Sequence, residues 1–341
     1  MAAASSSSAS SSCAARILMN STPTIAKHAK AGLHVASYSS SDRAAWDEFI
    51  AQARNSHFFF RRGYLEYHSD RFTDASLIVR ERGGIVAVMP ASVDNGVVTS
   101  HAGLTFGGVL SRRRLSAAAI LRVVRAIVEY LGERGVTRLV YKPAPHIYHT
   151  YPCEEDLYAF DVAGARLISR ELCSVIVPAQ AARFADSRGA RVERARSKGV
   201  NVERSGEYEA FLALEEELLR TKYGVSPAHS GPEMALLAER FPDHIMLFEA
   251  RRGGTLLAGT IVYETERVAH TQYIATTEEG RRLGALDVIC DELIARRFAS
   301  KPYLSLGVST TDNGFNPGLV HNKESFGARG IVHDHYELTI G

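Results

Sequence analysis

What this sequence lacks narrows its function before any motif is read. Four cysteines in 341 residues, Cys13, Cys153, Cys173 and Cys290, lie far apart with no C-x-x-C pair. They offer neither a disulfide framework nor a cysteine metal site, and they suit a reducing, cytoplasmic setting. No apolar run approaches the roughly 18 residues of a spanning helix, so integral membrane contact is not expected. An excess of one charge is missing too: 40 Lys and Arg against 38 Asp and Glu leave +2. No overall basic field invites DNA, although a phosphate-rich ligand needs only local charge.

What is present, 45% hydrophobic and 23% charged residues, is the make-up of a globular protein. The length accommodates two domains. Residues 1–32 begin as an Ala/Ser tract without the charged start and apolar core of a secretory signal. They read as a disordered leader, with Met19 as the alternative start.

From Leu33 the pattern becomes periodic. A short strand, a helix through Trp46 and Phe49, and an aromatic anchor at Phe58-Phe-Phe60 lead to two strands about Gly83-Gly84. A glycine-rich stretch, a helix from Ser116 to Glu133 and a strand Thr137–Tyr141 follow, and Arg170–Val177 ends this half. The basic segment Phe184–Lys198 reads as an exposed helix. The order then repeats: a hairpin about Gly253-Gly254, a strand from Val268, a polar loop, a helix to about Phe298, and a strand Tyr303–Val308. The offset is roughly 165–170 residues, carried by element order rather than by identity. Two copies of one α+β domain are expected, over 33–178 and 179–341.

Val268–Ala285 is the stretch around which chemistry is expected. Alternation puts His270, Gln272 and Ile274 on one face of the strand. The following Thr276-Thr-Glu-Glu-Gly-Arg-Arg-Leu-Gly-Ala285 reads as a loop that opens a helix at Gly284-Ala285. Backbone donors, Gly280, and the cations Arg281 and Arg282 are the parts a pyrophosphate needs; the alternative is a plain strand–loop–helix connection. In the first half, Ser100-His-Ala-Gly-Leu-Thr-Phe-Gly-Gly108 supplies His101, Gly107 and Gly108 as cleft lining, or else a tight turn. Lys142-Pro-Ala-Pro-His-Ile-Tyr-His149 clusters Lys142, His146, Tyr148 and His149 at a strand's carboxyl end, and suits substrate binding better than metal. No metal is expected. Lys323 ends a helix capped by Gly327, where a cation is favoured in any case.

Together, Tyr67-His-Ser-Asp-Arg-Phe72, the Ser100–Gly108 and Lys142–His149 stretches, His270-Thr-Gln-Tyr-Ile274, Gly284-Ala-Leu-Asp287 and Lys323–Arg329 resemble the GNAT N-acyltransferase superfamily. The resemblance is to its tandem-domain branch, related to the Fem-type peptidoglycan-bridge aminoacyltransferases. It implies two tandem GNAT-like domains, each a mixed, mostly antiparallel sheet flanked by helices, with a cleft between them. It implies acyl transfer from acyl-CoA, acetyl-CoA foremost, to an amine of an amino sugar, amino acid or cell-envelope precursor. An aminoacyl-tRNA donor, as in the Fem enzymes, is the alternative, and a non-catalytic binding protein is a third.

Carried onto this chain, Ile274, Gly280, Arg281, Arg282, Gly284, Ala285 and Lys323 would hold the donor. His101, Gly107, Gly108, Lys142, His146, Tyr148, His149 and Gln272 would meet the acceptor. A backbone N–H near Tyr273–Ile274 would polarise the carbonyl, with His270 as general base or water-relay anchor and Tyr273, Tyr303 or Ser309 protonating the leaving group. The superfamily's Q/R-x-x-G-x-G/A signature is matched at Arg281 and Gly284 but carries Leu286 at its last position. Ser309-Thr-Thr-Asp312 lacks the expected glutamate.

Overall fold

Short strands and amphipathic helices alternate along the chain as the apolar spacing dictates. The computed structural model describes residues 32–180, 186–311 and 314–341. The leader up to Ala31, Met19 and Asp312 lie outside these. The first half contains β1 (Leu33–Ser37), α1 (Arg43–Gln52), α2 (Arg62–Leu65), β2 (Thr73–Asp74), β3 (Leu77–Glu81), β4 (Gly84–Met89), β5 (Ser92–Asp94), β6 (Val97–Thr99), β7 (Leu110–Ser111), α3 (Ala117–Gly132), β8 (Arg138–Tyr141), α4 (Glu155–Val162) and β9 (Arg166–Ile176). The second contains α5 (Asp186–Ser197), β10 (Asn201–Ser205), α6 (Tyr208–Tyr223), α7 (Gly231–Arg240), β11 (Ile245–Arg252), β12 (Thr255–Glu264), β13 (Val268–Thr276), α8 (Glu278–Leu283), α9 (Ala285–Glu292), β14 (Tyr303–Val308), β15 (Thr310–Thr311), β16 (Gly314–Phe315), α10 (Pro317–Glu324) and β17 (Arg329–Thr339).

The mixed α+β architecture expected from the sequence is present. Both hairpins form on left-handed pairs, Gly253 and Gly254 at φ 56° and 84° and, one residue earlier than expected, Arg82 and Gly83 at 52° and 84°. Two positive φ values in succession give the turn whose twist matches its flanking strands.

Eleven strands run in one sheet in the order β10-β11-β12-β13-β14-β9-β17-β8-β6-β5-β2, with β1-β3-β4-β7 in a second sheet. The centre of the large sheet is an exchange. Strand β9, from the first half, pairs antiparallel with β14 of the second. Strand β17 pairs with both β9 and β8. Each half therefore completes its sheet with a strand supplied by the other.

Helix α3 shows how local sequence sets the packing. Ser116 accepts from the Ala119 N–H at its start, and Ile120, Val123, Val124, Ile127 and Leu131 fall on one face, all buried. The aromatic anchor joins the halves: Phe58 stacks on His244 with ring centroids 4.8 Å apart and meets Phe241 at 5.5 Å. Each such buried phenylalanine contributes about 1.5–3 kcal/mol relative to exposure. Among the described residues, no helix is long and apolar enough to cross a membrane.

Candidate active site

Strand β13 is nine residues long, but only Val268–His270 pair with β14, in parallel. Beyond His270 and Ser305 the two strands part. On its other side β13 pairs with β12, and a register shift between Ile261 and Val262 leaves Gln272 as the extra residue of a bulge. A splayed strand with a bulge frees backbone groups and re-aims side chains. The opening is a cavity of about 540 Å³ lined by His270, Gln272, Tyr273, Ile274, Glu215, Lys323 and Tyr148, among others. A second cavity of about 1040 Å³ shares Glu215, Leu219 and Ile274 with the first and reaches Arg188, Arg191, Arg281, Gly284 and Leu286. Two cavities that share lining residues suit a donor whose reactive end meets an acceptor.

Glu215 sits at that junction. It lies on α6 and is 8% exposed, and burial alone pushes its carboxyl up to about 7. It has no hydrogen-bonding side-chain partner among the described residues. A carboxyl titrating near the working pH is suited to take a proton and return it. Sequence pattern alone does not single it out. The available signal was its place on the apolar stripe Phe211, Leu212, Glu215, Leu218, Leu219 of an otherwise acidic helix.

His270 is in the cleft, with Nδ1 3.0 Å from the Ser305 hydroxyl. Burial lowers its pKa to about 4, so it is neutral at pH 7 and a weak base. Lys323 is also here rather than merely closing a helix: its ammonium donates to the carbonyls of Gly307 and Val308 at 3.0 and 2.6 Å. Desolvation lowers its pKa to about 8. Those two bonds hold the end of β14 where it turns away at Gly307, φ 73°. Tyr273 presents its hydroxyl to His229 Nδ1 at 2.6 Å, and His229 Nε2 lies 3.3 Å from Tyr64, itself 3.0 Å from Tyr263. Burial raises the Tyr273 pKa well above the ordinary phenol range.

The donor end differs from expectation in form. Residues after Thr276 are not an open loop: Glu278–Leu283 are α8, with the Thr277 hydroxyl accepting from the Gly280 N–H at 2.9 Å. Gly280 lines the larger cavity, but a Cβ there would fall 2.0 Å from the Leu257 carbonyl oxygen, so helix–sheet packing already requires glycine. Gly284, at φ 81°, opens α9 without a side-chain cap, leaving first-turn N–H groups free of one. Arg281 donates to the Thr276 carbonyl at 2.9 Å and lines the cavity. Arg282 is 77% exposed and faces Glu279, and Ala285 is in the core.

The basic helix α5 is not a free cationic face either. Arg188 and Arg191 both pair with buried Asp287, the latter at 3.0 Å, and Arg196 pairs with Asp291 at 2.6 Å.

Other candidates disperse. Ser309 is fully buried, its hydroxyl 2.7 Å from that of Ser174, bridging β9 to the residue after β14. That position gives it no access to a leaving group. Gly107 and Gly108 are backbone packing: a Cβ at Gly107 would lie 1.8 Å from the Ser100 carbonyl oxygen, and Gly108 has φ 97°. His101, at φ 65°, is buried against His68, ring centroids 5.2 Å apart, and Lys142 donates to the Leu104 and His101 carbonyls. Tyr148 reaches the cleft beside Phe106, at 4.7 Å. His146 and His149 line a different cavity, of about 750 Å³, where His149 Nε2 donates to the Ala144 carbonyl at 2.9 Å.

Comparison with known proteins agrees with this geometry. Residues 180–312 match the family model described as an acetyltransferase (GNAT) domain. No curated protein sequence matches the chain. Among solved structures, FemX superposes with a TM-score of 0.64 at 9% identity, covering 90% of this chain and 97% of that one. The C-terminal domain of a putative lysylphosphatidylglycerol synthetase from Agrobacterium fabrum gives 0.59 at 10% identity, over 88% and 92%. L-PGS from Bacillus licheniformis gives 0.54 at 11%, over 89% and 92%. The family match marks a GNAT domain over 180–312, and the structural likenesses bear out the fold that the resemblance implied.

Proposed function

We propose that the chain transfers an acyl group from acyl-CoA, acetyl-CoA foremost, to an amine of an amino sugar, amino acid or cell-envelope precursor. The two halves, 33–178 and 179–341, then act as repeats, the second holding the donor and the first facing the acceptor. The observation that carries the reading is the Glu215 carboxyl at the junction of the two cavities, beside the parted β13 and β14. The acceptor ammonium gives a proton to Glu215, and the resulting amine attacks the acyl carbon. A C–N bond forms, the C–S bond breaks, and the thiolate takes up the proton that the new amide nitrogen sheds. The developing oxyanion is met by a backbone N–H at the Gln272 bulge, a type of contact that lowers barriers by about 2.7–4 kcal/mol per donor. The α9 N-terminus at Gly284, with Arg281 beside it, has the donors and charge for a diphosphate.

The second reading, an aminoacyl ester of tRNA as donor, is favoured by one observation. The expected phosphate loop is folded into α8, with its first turn already capped by Thr277, which narrows the cradle available to a diphosphate. Titration calorimetry with acetyl-CoA, longer acyl-CoAs and free CoA distinguishes the two. Saturable heat with free CoA supports the first reading. Silence with all three, and tRNA binding that weakens steeply with salt, transfers the case to the second.

A further inference from the structure

The exchanged strands carry a cluster that the acyl-transfer reading leaves unused. On β17, His333 and His335 are two apart and so share a face, and Glu171 of β9 is the cross-strand partner of His333. Glu171 Oε2 lies 3.7 Å from His333 Nδ1. One ligand atom from each of the three residues lies within 4.8 Å of the others. His333 is 3% exposed, and its Nε2 has no hydrogen-bond partner, nor has the Nε2 of His335. Buried polar atoms are nearly always satisfied, so two orphaned imidazole nitrogens beside a carboxylate call for a ligand of their own.

We infer that Glu171, His333 and His335 bind a divalent cation of the zinc class. Two imidazole nitrogens and one carboxylate oxygen form a donor set that zinc takes in open sites, at about 2.0–2.2 Å per bond. Half-buried Glu171 and His335 have room to contract onto an ion. His333 also lines the cleft cavity, so the ion sits between the two exchanged strands and the proposed acceptor end. Sequence spacing conceals the site, because His-x-His gains its third ligand only when β9 crosses into the sheet. Lys142 is the opposing charge, since its field reaches both imidazoles. Its ammonium donates to the carbonyls of Leu104 and His101, and its field also reaches Glu171, so it competes with an ion for that carboxylate. Lys142→Met is therefore expected to tighten metal binding severalfold.

The test reads metal rather than acyl transfer, so it stands or fails apart from the proposed activity. The full chain, stripped with chelator, is titrated with zinc against a chromophoric competitor. One equivalent is expected. His335→Ala and Glu171→Gln, both at half-buried positions, should each weaken it by at least about tenfold, and the exposed-residue control His321→Ala should not. Glu171→Gln carries the result if His335→Ala fails to fold. Wild type binding no tighter than these variants, or binding equally lost in His321→Ala, overturns the assignment.

Discussion

His270 Nδ1 and the Ser305 hydroxyl, 3.0 Å apart, form the last rung before β13 and β14 separate. Below that rung the strands share a ladder, and above it they line the reaction cavity. The pair thus marks where structure gives way to chemistry.

The base assignment is open to direct trial. Glu215→Gln is expected to lower turnover by about 10²–10⁴-fold while leaving donor affinity within about twofold, which steady-state kinetics and calorimetry resolve. Because the Glu215 carboxyl is pushed up to about 7, wild-type turnover should rise through pH 7 and level above it. A profile that instead bends near pH 4, the His270 range, would return the role to His270.

The same carboxyl makes a stability prediction of defined sign. Its folded pKa lies above its unfolded value, so the folded state binds the proton more tightly. The contribution is full below the unfolded pKa, near 4.5, and is lost as pH rises through about 7. Melting curves of wild type and Glu215→Gln between pH 5 and 8 should converge toward the acid end. There the wild-type side chain is neutral, as glutamine always is.

His270→Ala removes a neutral hydrogen-bonding group from the point where β13 and β14 part. Turnover should fall far more than donor binding weakens, yet less than in Glu215→Gln. Equal turnover in mutant and wild type would remove His270 from the mechanism.

Asp287 is 2% exposed and holds two guanidinium groups. Asp287→Ala strands Arg188 without its carboxylate and should cost about 3–5 kcal/mol, measured by urea unfolding. It should also weaken the donor, because α5 and the start of α9 lose their tether beside the larger cavity.

Ser309→Ala separates a buried structural hydroxyl from a catalytic one. Leaving the buried Ser174 hydroxyl unpaired should cost about 1–3 kcal/mol, with turnover unchanged within about twofold. A hundredfold loss of turnover would place Ser309 in the reaction after all.

Much of this layout was legible in the chain itself. Hairpin glycines, the α3 stripe and the order of strands are local properties, set by side-chain period and backbone φ. The face bearing His270, Gln272 and Ile274 followed from alternation alone. Thr276–Ala285 reads as a loop by its polarity and glycines, although Thr277 followed by Glu278 and Glu279 is a helix start: a capping hydroxyl and two acids against the dipole. Glu215 was hidden because an acid on a Glu-rich helix reads as solvated until the packing partner of its stripe is known. The strand exchange had no local signature, since β9 has the same alternation whichever neighbour it joins. The burial of Ser309 has the same origin, because it depends on β9 lying across from it.

The exchange also bears on how the molecule is made. Strand β8 pairs with β6 of its own half but finds its other neighbour only in β17, which leaves the ribosome long after it, and β9 waits for both β14 and β17. An unpaired edge of this kind invites wrong partners, so the nascent first half is expected to depend on chaperones until the remainder arrives. Separately expressed halves should aggregate alone and become soluble when produced together.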